Sequence, residues 1–144
     1  MIKRILAIDP GNIESAYVLM DSETYEPIEF GKVENHILLD LIFDYVFDDF
    51  VIEMIASYGM GVGKSVFDTC VWIGRFVQQA SLFTDTPEFI YRAEEKMNLC
   101  YSMKAKDSNV RQALIDRFGI VGTKKSQDTK KAERFFKERG IKFQ

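Results

Sequence analysis

The chain has 144 residues, 47% of them apolar and 13% aromatic, enough for one domain with a real core and too apolar for general disorder. One histidine and two distant cysteines, Cys70 and Cys100, leave no material for an imidazole metal cluster or a zinc site, and the single histidine argues against a serine–histidine or cysteine–histidine apparatus. The net charge of −3 divides unevenly: residues 1–100 hold 7 Lys/Arg against 17 Asp/Glu, and residues 101–144 hold 12 against 5. Any chemistry therefore falls to carboxylates, and any phosphate binding to the basic C-terminal third; the plainer reading of those lysines is a set of solvated helix faces.

In chain order, 2–8, 16–20 and 26–33 read as three strands joined by short turns. The first delivers Asp9 into the turn Pro10-Gly11. A carboxylate ending an apolar strand either caps the turn or meets a divalent cation, and Gly11 would let backbone approach a ligand closely. Residues 37–47 have a helical period, with Leu38, Leu41, Ile42, Tyr45 and Val46 apolar and Asp40 and Asp44 opposite. Phe50-Val51-Ile52 is a short buried strand ending on Glu53, either a solvent-facing terminus or, if this strand neighbours the first, a second ligand to a shared cation.

Tyr58-Gly59-Met60-Gly61-Val62-Gly63-Lys64-Ser65 imitates a P-loop, but Tyr58 stands where that motif needs its first glycine. No nucleotide cofactor is expected. The loop instead offers Tyr58 and Lys64 to a DNA backbone or base. Val66, Cys70, Ile73, Val77 and Ala80 recur at helical spacing and predict a helix over 66–82. That helix also carries Phe67, Val71, Trp72, Arg75, Phe76 and Gln79, more apolar surface than one buried face requires, so it is either a homodimer interface or a central buried helix. Residues 88–93 read as a strand. Asp107 or Ser108 would N-cap a helix to about Phe118, with Val110, Ala113, Leu114 and Phe118 inward, and 126–139 reads as a last helix. Three hairpin-like strands followed by alternating helices and strands predict an α/β fold: a mixed sheet, three antiparallel strands then parallel ones, flanked by helices in a single domain. No run approaches a membrane span, nothing at the start reads as a signal peptide, and the thiols suit a reduced cytoplasm.

Several of these stretches together resemble one family. Asp9-Pro10-Gly11, Val51-Ile52-Glu53, Ala56-Ser57-Tyr58-Gly59-Met60 and 66–76 (VFDTCVWIGRF) look like the RuvC-type Holliday-junction resolvases, in the variety found in phages and prophages of Gram-positive bacteria. The stretches 103–114, 116–119 and Gly122-Thr123-Lys124-Lys125 extend the likeness over roughly 4–125. The resemblance implies an RNase H-like fold and a homodimer. It implies an endonuclease cutting four-way and branched DNA with Mg²⁺ or Mn²⁺ held by acidic residues. Asp9 and Glu53 take the first two acidic roles, as catalytic and metal residues, and Asp128 best matches a third. Phosphates would be held by Ser15, Lys64, Lys104, Lys106, Lys124 and Lys125, with Tyr58 on the DNA as well.

The C-terminus departs from that pattern. Lys131 stands three residues after Asp128, where the family often carries another acid, and the helix is shorter and more basic. Asp128 read without the resemblance is a helix-start residue favoured by the dipole. The departure keeps open an alternative, a weakly catalytic or non-catalytic branched-DNA-binding protein derived from a resolvase. A third reading, a small phosphotransferase, has the Asp-x-Gly start in its favour but no room for a domain closing over a nucleotide.

Overall fold

The computed structural model describes residues 2–118; the expected helix over 126–139, with Lys124, Lys125 and Asp128, lies outside the described residues. The chain divides into two compact units, Met1–Tyr91 and Arg92–Gln144.

The first unit is built on five strands: β1 Arg4–Asp9, β2 Glu14–Asp21, β3 Pro27–Glu34, β4 Asp49–Met54 and β5 Glu88–Tyr91. Their spatial order is β3-β2-β1-β4-β5. β1, β2 and β3 pair antiparallel, while β4 runs parallel to both β1 and β5. This is the mixed sheet expected from the sequence. Period-two alternation drives it: Leu6 and Ile8 on β1, Tyr17 and Leu19 on β2, and Phe50 and Ile52 on β4 are buried, with half-buried or exposed residues between them. The turn after β2 is locked by Asp21, whose carboxylate accepts from the backbone N–H groups of Glu23 and Thr24 (2.8 and 3.0 Å). Those bonds hold its carboxyl below the usual range, and Tyr25 completes the turn in the left-handed region at φ 58°.

Parallel strands need crossovers, and two helices supply them: α1 Asn35–Asp44 from β3 to β4, and α2 Lys64–Ala80 from β4 to β5. Leu38 and Ile42 of α1 and Ile73, Phe76 and Ala80 of α2 join Leu6, Ile8, Tyr17, Leu19, Phe50 and Ile52 in one core. α1 stops before the expected residue 47. Tyr45 is extended, its hydroxyl bonds that of Tyr17 (3.3 Å), and Phe47 turns into the core.

The inward face of α2 is rotated from expectation. Thr69, Ile73, Phe76 and Ala80 are buried, whereas Val66, Cys70 and Val77 are only half-buried. Phe76, expected on the outer interface face, is 0% exposed and belongs to the core. Phe67 and Val71 remain exposed, and the Arg75 guanidinium lies 4.1 Å over the Trp72 ring.

The second unit, over its described residues, holds α3 Arg92–Cys100 and α4 Asp107–Phe118. α3 begins where a strand was expected to continue to Ala93. Glu94 and Glu95 in its first turn suit the helix dipole, and no glycine or proline interrupts 92–100. α4 starts at Asp107, so Lys106 occupies the N-cap position expected for Asp107 or Ser108. Asn109 closes the cap from inside: its Oδ1 accepts from the Lys106 N–H (2.9 Å), while its own N–H donates to the Lys106 carbonyl (2.9 Å). Asp107 is taken instead by the Arg92 guanidinium, which holds its carboxyl below the ordinary value.

Candidate active site

β1 and β4 run parallel with Ile5 opposite Asp49, Leu6 opposite Phe50, Ala7 opposite Val51 and Ile8 opposite Ile52. The ladder's last pair is Ile8–Ile52, and Asp9 and Glu53 are the next residue of each strand, so continuing the register by one step brings them side by side. Because side chains alternate, both lie on the face opposite the one on which Leu6, Ile8, Phe50 and Ile52 meet α1 and α2. Asp9 is exposed and Glu53 half-buried. Two residues 44 positions apart thus become neighbours at the carboxyl ends of the central strands.

The Pro10-Gly11 turn leads from β1 into β2. Gly11 is required there for a reason the sequence does not show: a Cβ on it would stand 2.2 Å from the Glu14 carbonyl oxygen. The tight approach is to the chain's own backbone. Ser15, expected to hold phosphate, is 1% exposed. Its hydroxyl accepts from the Gly11 N–H (3.0 Å) and donates to Asn35 Oδ1 (2.6 Å). It is committed to the turn and does not reach a ligand, which corrects that expectation. Asn35 is equally buried; its one signal in the sequence is a polar side chain standing just ahead of an amphipathic helix.

Beyond Glu53, β4 ends at Met54 and the glycine loop follows. Tyr58, Met60 and Val62 are exposed on it, and Gly59 takes φ +76°. Lys64 opens α2 with its ammonium on Asp68 Oδ2 (2.7 Å), an exposed i,i+4 pair that a phosphate can exchange at small cost. In the second unit Lys104 and Lys106 are exposed.

Two carboxylates without a thiol or imidazole form an oxygen-only donor set, the kind that suits Mg²⁺ or Mn²⁺ completed by water and substrate oxygens. Among the described residues no group of three or more His, Cys, Asp or Glu gathers as a metal centre. No helix among the described residues is long and apolar enough to cross a membrane.

No family model matches the sequence, and no curated protein does. Solved structures do. The chain is similar to RuvC of Thermus thermophilus, with a TM-score of 0.65 at 12% identity, covering 96% of this chain and 97% of that one. It is likewise similar to T. thermophilus RuvC in complex with a Holliday junction substrate, with a TM-score of 0.67 at 12% identity and 96% of each chain covered. The fold is RuvC-like and hence RNase H-like: a mixed five-stranded sheet with helices, over nearly the whole length of both chains.

Proposed function

We propose that this protein is a structure-selective endonuclease that resolves Holliday junctions and other branched DNA by metal-dependent phosphodiester hydrolysis. The observation that carries the reading is the parallel β1–β4 register, which makes Asp9 and Glu53 neighbours at the carboxyl end of a RuvC-like sheet. That a RuvC of this fold has been captured with a Holliday junction supports four-way DNA as the substrate class.

Asp9 and Glu53 would hold Mg²⁺ or Mn²⁺, with Asp128 as the third ligand implied by the family likeness. When bound, such a cation would lower the pKa of a water and ease charge build-up on the leaving oxygen. The hydrolysis would form a bond from the water oxygen to phosphorus and break P–O3′, with the water's proton ending on O3′, to leave a 5′-phosphate and a 3′-hydroxyl. The chain's own residues orient the scissile strand. Lys64, released from Asp68, and the exposed Lys104 and Lys106 would neutralise phosphates, together with Lys124 and Lys125. Tyr58 offers a ring against an unstacked base. With no major-groove reading helix evident in the sequence, branch geometry governs selection. The exposed Phe67 and Val71 on the outer face of α2 suit a twofold dimer, which sets two sites across a twofold-symmetric junction.

The test uses a labelled four-way junction and a linear duplex of the same sequence, each with Mg²⁺ or Mn²⁺. Paired nicks on opposed strands of the junction alone are expected. A retarded junction complex without nicks under either metal would overturn catalysis in favour of a branched-DNA-binding protein, the reading that Lys131 favours.

A further inference from the structure

Asn35 is the first residue of α1, yet its side chain does nothing for that helix. The N-cap residue is Glu34, which makes no side-chain cap bond. Asn35 points back to the Asp9 turn. Its Nδ2 donates to the Gly11 carbonyl (2.9 Å), its Oδ1 accepts from the Ser15 hydroxyl (2.6 Å), and its backbone N–H donates to the Ile13 carbonyl (2.9 Å). Ser15 in turn accepts from the Gly11 N–H (3.0 Å). Both polar groups of Gly11 are therefore held, the carbonyl by Asn35 and the N–H by Ser15.

Proton counting leaves one arrangement. Gly11 N–H can only donate, so Ser15 Oγ accepts it and spends its single proton on Asn35. Reversing the Asn35 amide would set its oxygen against the Gly11 carbonyl and leave the Ser15 proton without an acceptor. Asn35 and Ser15 are each 1% exposed, so losing one of these bonds leaves a buried polar group unsatisfied. On its other side Asp9 is fixed by the β1–β2 ladder opposite Ala16. The backbone carrying its carboxylate is thus anchored by a ladder before it and a closed polar clamp two residues after it.

We propose that Asn35, acting with Ser15 through Gly11, is a positioning residue that holds the Asp9 carboxylate beside Glu53 in the geometry a divalent cation needs. The inference rests on the metal-site reading above and extends it to two residues that touch neither cation nor DNA. Groups that orient a metal's ligands characteristically change affinity by about 10–100-fold when lost.

The experiment titrates full-length protein with Mn²⁺, without DNA, by water-proton relaxation, and follows hydrogen exchange at the Gly11 amide. Asn35→Asp keeps the side-chain size but turns the donor facing the Gly11 carbonyl into an acceptor. Ser15→Ala removes one hydroxyl and stands in if Asn35→Asp does not fold. Both variants should bind Mn²⁺ about tenfold more weakly and exchange the Gly11 amide faster, while metal-free junction binding stays at the wild-type level. Junction nicking should recover at high Mn²⁺, which a general loss of folded protein would not allow. Unchanged Mn²⁺ affinity in folded Asn35→Asp and Ser15→Ala, with Asp9→Asn abolishing binding, overturns the clamp and leaves the metal site standing. Wild-type Mn²⁺ affinity in Asp9→Asn overturns the metal-site reading and the clamp with it.

Discussion

Ile8 of β1 faces Ile52 of β4 in a parallel pair, and the residue that follows each is a carboxylate. The two isoleucines are buried against α1 and α2 and fix the register; a slip of one residue would turn every side chain of the strand to the other face. The neighbouring acids are therefore held by the same core that stabilises the unit. On the proposed function, a divalent cation bound there would be held by both carboxylates.

The two sides of α2 should respond differently to substitution. Phe76→Ala empties a fully buried site and should cost about 3–5 kcal/mol, seen as a lower denaturant midpoint. Phe67→Glu with Val71→Glu alters exposed positions and should leave the fold intact. On the dimer proposal, sedimentation shifts from dimer to monomer in that double variant and paired nicking is lost. A folded double variant that sediments as the wild type would count against α2 as the interface.

Gly11→Ala places a methyl group 2.2 Å from the Glu14 carbonyl oxygen, which is backbone and cannot swing aside. The turn must open, at a cost of about 1–3 kcal/mol by analogy with overpacking. Thermal unfolding should move down, and junction cleavage should fall further than the lost stability accounts for. Wild-type cleavage by this variant would show that the turn does not set the site.

Alkaline pH should destabilise the first unit through Tyr17 and Tyr45. Burial raises both phenols above their usual value, helped at Tyr45 by its bond with Tyr17 and at both by Glu29. Above about pH 10 the unfolded chain releases both protons while the native chain retains them. Stability is thus complete below that pH and declines as pH rises through the native values. Tyr45→Phe should flatten the decline in denaturant midpoints between about pH 9.5 and 11, and an unchanged slope would contradict the assignment.

Local pattern carried most of the fold. β1, β2, β3, β4 and α2 announce themselves by period, and Asp9 and Glu53 stand out as acids ending apolar runs. What the pattern could not carry was anything set by contact between distant segments. Phe76 and Phe67 look alike in the sequence, and only the rotation of α2 on the sheet separates core from surface. Ser15 reads as a free hydroxyl near a turn, but in the fold it donates a hydrogen bond to Asn35, twenty residues on. α3 leaves no apolar stripe in the sequence because none of its residues is buried.

On the proposed function, Asp9 and Glu53 form one hydrolytic site. Single-turnover nicking of a labelled four-way junction by wild type, Asp9→Asn and Glu53→Gln, with junction affinity measured alongside in metal-free buffer, tests it most directly. The expected result is nicking by wild type with Mg²⁺ or Mn²⁺, a loss of at least about 10³-fold in each variant, and retained junction binding in all three. Undiminished nicking by either variant would contradict it.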